Sequence, residues 1–275
     1  RQYLKGKLLN VLLPYVIVST PALVVKALAH RGPFNPASAH HDLGVAKNAI
    51  WAVLSGYPVF APFWFIPMIA VIYLLAPLWL WIDRRPWMYL TLPGLLSVTT
   101  IIHRPGGPEQ IWHSLLYFAP IYVYGMWFSR YKETLLAWHD RWFLRLVFLL
   151  IALIWFEVGF ARSVGDFVST SVLAPDGRVG TNAIQKLVIC GVLLAALRRC
   201  GQQLHQKLRF VGEASLGIYF VHMYFIQAGA EFLSRSKRPF VGLSISVAAV
   251  MLLSGALLWI ARRMLGRRSR LLVGY

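Results

Sequence analysis

Apolar runs alternate with short basic or turn-forming segments from one end of this chain to the other. The first run is Leu8–Leu28, with Pro14 and Pro21 inside it. Further runs cover Ala61–Ile82, Trp87–Ile102, His113–Phe128, Trp142–Ala161, Asn182–Leu197, Phe210–Ala230 and Phe240–Met264. A helix that crosses a hydrocarbon core needs about 20 apolar residues, and these runs approach or reach that length. A membrane barrel strand would instead alternate polar and apolar residues over about ten positions, a pattern missing here. The runs predict an all-α, polytopic helical membrane protein with about eight transmembrane helices. No internal repeat and no soluble portion interrupt them, so residues 1–275 read as a single integral membrane domain.

The connections add detail. Trp87–Ile102 is short and broken by Pro93-Gly94, which also suits a re-entrant element. Ala29–Val59 is a long connection whose second half, Leu43–Leu54, has apolar residues at helical spacing, predicting a helix along the membrane surface. Ser129–Arg141 and Arg198–Arg209 read as basic loops, and Asp83-Arg-Arg-Pro86 as a tight basic turn. Lys and Arg concentrate at both ends and in the loops around Arg84, Arg130 and Arg198, which predicts that both termini face the cytoplasm.

Composition sharpens the class. Hydrophobic residues make up 58% of the chain and charged residues only 14%, with mean hydropathy +0.59. A soluble domain carries about 25% charged residues. The net charge of +18 invites a nucleic-acid reading. Its basic residues sit in clusters at the ends of apolar runs, where topology and anionic headgroups account for them, so a lipid bilayer is the expected partner and nucleic acid is not. Cys190 lies in an apolar run and Cys200 in a basic loop, which excludes a disulfide framework or a thiolate metal cage. His40-His41-Asp42 suggests a metal, but adjacent residues on an extended loop point apart and no partner spacing closes a site, so no metal is expected.

Candidate chemistry centres on Phe210-Val-Gly-Glu-Ala-Ser-Leu-Gly-Ile-Tyr-Phe-Val-His-Met-Tyr-Phe-Ile226. On a helix, Ser215, Tyr219 and His222 fall within about 60° of one another. A polar stripe on a hydrophobic helix is costly in lipid, so it is expected to face a bundle interior. The plain alternative is a set of interhelical hydrogen bonds with no chemistry. Glu213 points the other way and reads as a carboxylate at a helix N-terminus. Glu157, near the end of its run, is an intramembrane acid that either acts or simply reaches water. Arg145 either snorkels to the interface or meets phosphates. Trp64 reads on its own as an interfacial aromatic.

The pattern G-x-x-S-x-G-I-Y-x-x-H from Gly212 to His222 resembles a signature of the acyltransferase family 3 membrane enzymes. Phe63-Trp-Phe-Ile-Pro67 followed by Ile72-Tyr-Leu-Leu-Ala-Pro77, the entry Tyr3–Tyr15 and the closing Gly266-Arg-Arg-Ser-Arg270 are similar to the same family. The resemblance implies a roughly ten-helix fold. It implies a bacterial inner-membrane enzyme that moves an acetyl or succinyl group from acyl-CoA to a hydroxyl of an envelope polysaccharide or glycolipid. It further implies supporting catalytic roles for His222, Tyr219 and Ser215, and substrate contacts for Trp64, Glu157 and Arg145. In the family the best candidate base is a His on the first span, after a basic residue. No stretch here matches that motif, so about two N-terminal spans and the principal base are expected to be missing. A flippase or transporter for a lipid-linked sugar and a non-catalytic partner are the competing classes. Prolines cluster in the early runs, and a transporter built from two matching halves would spread them.

Overall fold

The computed structural model describes residues 6, 8–30, 44–56, 59–102, 104–105, 111–159, 168–169, 180–200, 202–234 and 239–274. Two prolines shape the first helix, α1 (Leu13–Leu28). Pro14 stands in its first turn, where a missing N–H costs nothing, and a short π turn at Leu8–Leu12 leads into it. Pro21 lies inside and leaves the carbonyl one turn earlier without its helical donor. The helices that follow are α2 (Gly44–Ser55), α3 (Phe65–Leu74), α4 (Ala76–Asp83), α5 (Leu92–Ile101), α6 (Ile111–Arg130), α7 (Lys132–Arg141), α8 (Phe143–Gly159), α9 (Asn182–Arg199), α10 (Gln202–Ser234), α11 (Pro239–Leu265) and α12 (Ser269–Val273). Short 3-10 turns at Ala61–Trp64, Pro86–Thr91 and Gly266–Arg268 precede α3, α5 and α12. A two-residue parallel pair, β1 (Arg104–Pro105) with β2 (Val168–Ser169), joins two connections. The all-α membrane class stands.

Among the described residues, Leu9–Leu28 and Ser244–Leu265 are long and apolar enough to cross a membrane. The total rises to four if two bent pairs each count as one span. These are Pro62–Leu74 with Ala76–Asp83, bent by 59°, and Lys132–Arg141 with Phe143–Gly159, bent by 79°. Exposed apolar side chains such as Leu252 (74%) and Trp155 (72%) are what a lipid-facing surface requires. The remaining predicted spans are helical but shorter or more polar than expected. Trp87–Ile102 is divided between a 3-10 turn and the ten-residue α5, because Pro93 can only stand in a first turn.

Two predicted loops are helical instead. Ser129–Arg141 contains α7, and Arg198–Arg209 contains the start of α10, a helix of 33 residues. Neither segment holds an internal Gly or Pro that would stop a helix, apart from Gly201 just before α10.

The chain forms two compact units, Arg1–Ala70 with Gln206–Tyr275, and Val71–His205. The first has a core of Tyr15, Val18, Ala22, Leu23, Ala52, Val59, Phe60, Phe63, Ile66, Ala214, Phe220, Val221 and Leu258. Its C-terminal segment does not trail away as a basic tail. Gly266, at φ 55°, turns the chain so that α12 packs on α1, and Gly274 lies against Phe220 and Leu216. In the second unit α8 packs on α9, and α5 on α6. The sharpest fit there is Gly191 of α9 under the ring of His139 of α7, where an added Cβ would sit 2.6 Å from ring atoms.

Candidate functional site

The centre of the first unit is a break in regular structure. α2 leaves Val45, Ile50 and Leu54 exposed. Its face of Asn48, Ala52 and Ser55 is buried, and Ala52 joins the core. The chain then reverses at Gly56, whose φ of 76° only glycine adopts without strain. A Cβ there would lie 2.3 Å from the Phe63 carbonyl oxygen, so the turn closes directly on the 3-10 segment that carries Phe63 and Trp64. Phe63 is fully buried and is the aromatic hub, with Tyr15, Phe60, Tyr219 and Phe220 around it at centroid distances of 5.1–6.0 Å.

Irregular backbone inside an apolar bundle leaves carbonyls that the chain itself cannot satisfy, so side chains must do so. Four side chains donate to carbonyls in or beside this region. Tyr15 donates to the Val53 carbonyl at 2.6 Å, and Lys26 donates to the Val59 carbonyl at 2.8 Å. Tyr219 donates to the Pro62 carbonyl at 2.5 Å, and Tyr224 to the Val18 carbonyl near the proline break in α1. Sequence reasoning singled out only Tyr219 from this set. Tyr15, Lys26 and Tyr224 were hidden because their acceptors are backbone atoms remote in sequence.

The predicted stripe on α10 is divided by this packing. Ser215 is exposed, and its hydroxyl donates to the Gly212 carbonyl at 2.8 Å on its own helix. It needs no interior partner, which is why it does not face the interior as expected. Gly212 is exposed with open space around it. Tyr219 is half-buried against Phe63 and Phe65. His222, half-buried, sits 5.9 Å from the Tyr219 ring.

The hydrogen bonds of His222 decide its tautomer. Its Nδ1 lies 2.7 Å from the Tyr219 carbonyl and 3.1 Å from the Ile218 carbonyl. A carbonyl only accepts, so Nδ1 carries the proton, and in the neutral ring Nε2 carries the lone pair. A proton acceptor is therefore held in a fixed orientation on α10.

Trp64 ends the 3-10 turn and meets Phe65 edge to face at 6.2 Å. It belongs to the same unit as Tyr219 and His222. Glu213 is not a helix N-terminal carboxylate, because α10 begins well before it at Gln202. It pairs instead with Arg209 at 2.7 Å and Arg262 at 3.5 Å.

Glu157 and Arg145 belong to the second unit. Glu157 does not reach out to water. It is 6% exposed and shares a helix face with the buried Leu146, and its Oε1 has no hydrogen-bond partner. Arg145 is exposed, with its guanidinium 3.8 Å from the Trp142 ring centre in a cation–π contact. His40, His41, Asp42 and His103 lie outside the described residues. Among the described residues no three of His, Cys, Asp and Glu gather as metal ligands.

The model of one protein family, described as an acyltransferase domain, matches residues 1–261. No curated protein and no solved structure matches the chain.

Proposed function

The chain belongs to acyltransferase family 3 and is a membrane acyltransferase, and on that premise we propose that it transfers an acetyl or succinyl group from acyl-CoA to a hydroxyl of an envelope polysaccharide or glycolipid. The observation that supports this reading best is the fixed tautomer of His222. In its supporting role, beside the principal base expected on a preceding span, its Nε2 accepts a proton as the acceptor hydroxyl oxygen attacks the thioester carbonyl. The C–S bond breaks, an ester forms, and the thiolate of CoA leaves and recovers a proton. Tyr219 acts by position: its hydroxyl holds the Pro62 turn, and its backbone carbonyl orients the His222 ring. Trp64 closes the same turn. Arg145, exposed in the other unit, is proposed separately as a contact for phosphate. Glu157 and Ser215 carry weaker arguments, since one is buried and the other turns to its own backbone. The cytoplasmic membrane of a bacterium is the proposed location.

The test uses membranes holding equal amounts of wild type and His222→Ala. Release of CoA thiol and transfer of radiolabel from acetyl-CoA are measured together. A positioned general base contributes about 10²- to 10⁴-fold, so the variant is expected to lose at least about 100-fold in transfer. Unchanged transfer would remove His222 from the chemistry. Sugar flux in vesicles with no acyl-CoA consumption by wild type would favour a transporter.

A further inference from the structure

The second unit turns sharply between α7 and α8, and its charge collects at that turn. α8 carries an exposed apolar stripe, with Leu144, Phe148, Ile151 and Trp155 at helical spacing and 45–72% exposed. In a membrane protein such a stripe faces lipid. α7 meets α8 at 79°, so when α8 enters the bilayer α7 lies nearly along its surface. Trp142 is the residue between the two helices, and its backbone leaves helical geometry at φ −103°, ψ 15°. Trp138, 48% exposed, stands 6.4 Å from it, ring centre to ring centre. Indoles at such a place sit at the level of lipid headgroups.

Four guanidiniums surround this bend. Arg145 and Arg141 both approach the Trp142 ring, at 3.8 and 5.9 Å from its centre. Arg199, from the end of α9, lies 4.2 Å over the Phe143 ring and donates to the Asp140 carbonyl at 2.6 Å. Arg198 pairs with the Asp140 carboxylate at 3.2 Å. Asp140 therefore offsets one of the four charges. Among the described residues, neither Arg141 nor Arg145 pairs with a carboxylate. Two like charges drawn to one ring repel, and an anion beside them relieves the repulsion.

The chemistry names the anion and the position names its carrier. A guanidinium matches the oxygens of a phosphate. Arg145 lies about 60° from Phe148 around α8, so the apolar stripe begins one turn below the charge. A phosphate that carries acyl chains uses both features, whereas a soluble phosphate leaves the stripe uncovered.

We propose that the bend between α7 and α8 binds one anionic phospholipid, with its phosphodiester at Arg145, Arg141 and Arg199 and its acyl chains along Leu144, Phe148 and Ile151. The site shares with the reading above only the phosphate contact of Arg145, and it does not need acyl transfer.

The experiment uses the full chain in an uncharged detergent, titrated with dioleoyl phosphatidylglycerol or with dioleoyl phosphatidylcholine. Wild type, the double variant Arg141→Gln/Arg145→Gln and Arg84→Gln are compared by thermal unfolding. Arg84 is also an exposed arginine of the same unit, away from the bend. Native mass spectrometry counts bound lipid on the same samples, a reading that does not depend on each variant's own midpoint. Phosphatidylglycerol is expected to raise the wild-type midpoint more than phosphatidylcholine does. The double variant should need at least about tenfold more phosphatidylglycerol for the same rise and the same occupancy, and Arg84→Gln about as much as wild type. Equal responses to the two lipids, or equal weakening by Arg84→Gln and the double variant, would reduce the effect to diffuse surface charge and overturn the site. A rise with CoA or inorganic phosphate that the double variant loses, without preference for phosphatidylglycerol, would assign the arginines to a soluble phosphate and overturn the lipid. Acetyl-CoA consumption is followed in parallel. A phosphatidylglycerol response lost in the double variant, with no acetyl-CoA consumed by wild type, keeps the site and removes the acyltransfer reading. Acetyl-CoA consumption without any lipid preference does the reverse.

Discussion

The two units of this chain meet the same problem, polar groups in an apolar protein, with different chemistry. In the first unit the polar groups are backbone carbonyls around the Gly56 reversal and in α1, and three tyrosine hydroxyls with one lysine donate to them. In the second unit one buried side chain, Trp79, also donates to a carbonyl, that of Ile72, and most of the other paired groups are guanidiniums near helix ends. Arg130 meets Asp83 at 3.2 Å, Arg198 meets Asp140 at 3.2 Å, and Arg145 and Arg199 stack on Trp142 and Phe143. A neutral phenol suits a buried carbonyl because no ion is desolvated. Exposed ion pairs are weak and screened by salt. Interior stitching should therefore govern stability, and surface pairing should tune it only slightly.

That contrast can be broken most directly at the reversal itself. Gly56→Ala forces a side chain into a left-handed backbone and against the Phe63 carbonyl. The strain alone is about 1–3 kcal/mol, before the clash. Little folded protein is expected by fluorescence-detected size exclusion, and wild-type yield would show that the reversal is not needed.

The second unit has its own point of close packing. Gly191→Ala should cost about 1–3 kcal/mol by overpacking the His139 ring. Adding His139→Ala should recover much of that loss, since the two positions share one contact. A thermal series on the single and double variants checks this, and strictly additive losses would count against the contact.

Tyr219→Phe removes the hydroxyl bond to the Pro62 carbonyl, which then keeps only the Phe65 backbone N–H. The expected cost is about 1 kcal/mol, within the range for hydrogen bonds in membrane bundles. Transfer activity should fall by more than stability does, because the turn below His222 is loosened. Equal losses in both would make Tyr219 purely structural.

The smallest effect belongs to the exposed cluster of Asp83, Tyr89 and Arg130. The Tyr89 hydroxyl, 2.6 Å away, and then Arg130 hold the Asp83 carboxyl below its ordinary range. A depressed carboxylate adds stability above its unfolded value and loses it as pH falls through the folded one. Asp83→Asn should therefore lower the unfolding midpoint slightly near neutrality, with the difference fading in acid and in high salt. A salt-independent difference would mean that Asp83 acts through packing.

Much of this was legible in the residues. The apolar runs predicted the helical membrane class, and the Gly212–His222 and Phe63–Pro67 motifs pointed to the family whose model matches residues 1–261. Helical periodicity placed Tyr219 and His222 on one face because faces depend only on local spacing. Partners do not. The acceptor of Tyr219 is 157 residues away and that of Tyr224 is 206 away. No local pattern encodes which carbonyl a proline or a reversal will leave open. Tertiary packing alone decided that the Asn48, Ala52 and Ser55 face of α2 is buried, that Ser215 turns back to its own helix, and that Glu157 is buried. It also directed the Tyr15 hydroxyl to Val53. Sequence sets which groups need partners, and only the folded chain determines which groups receive them.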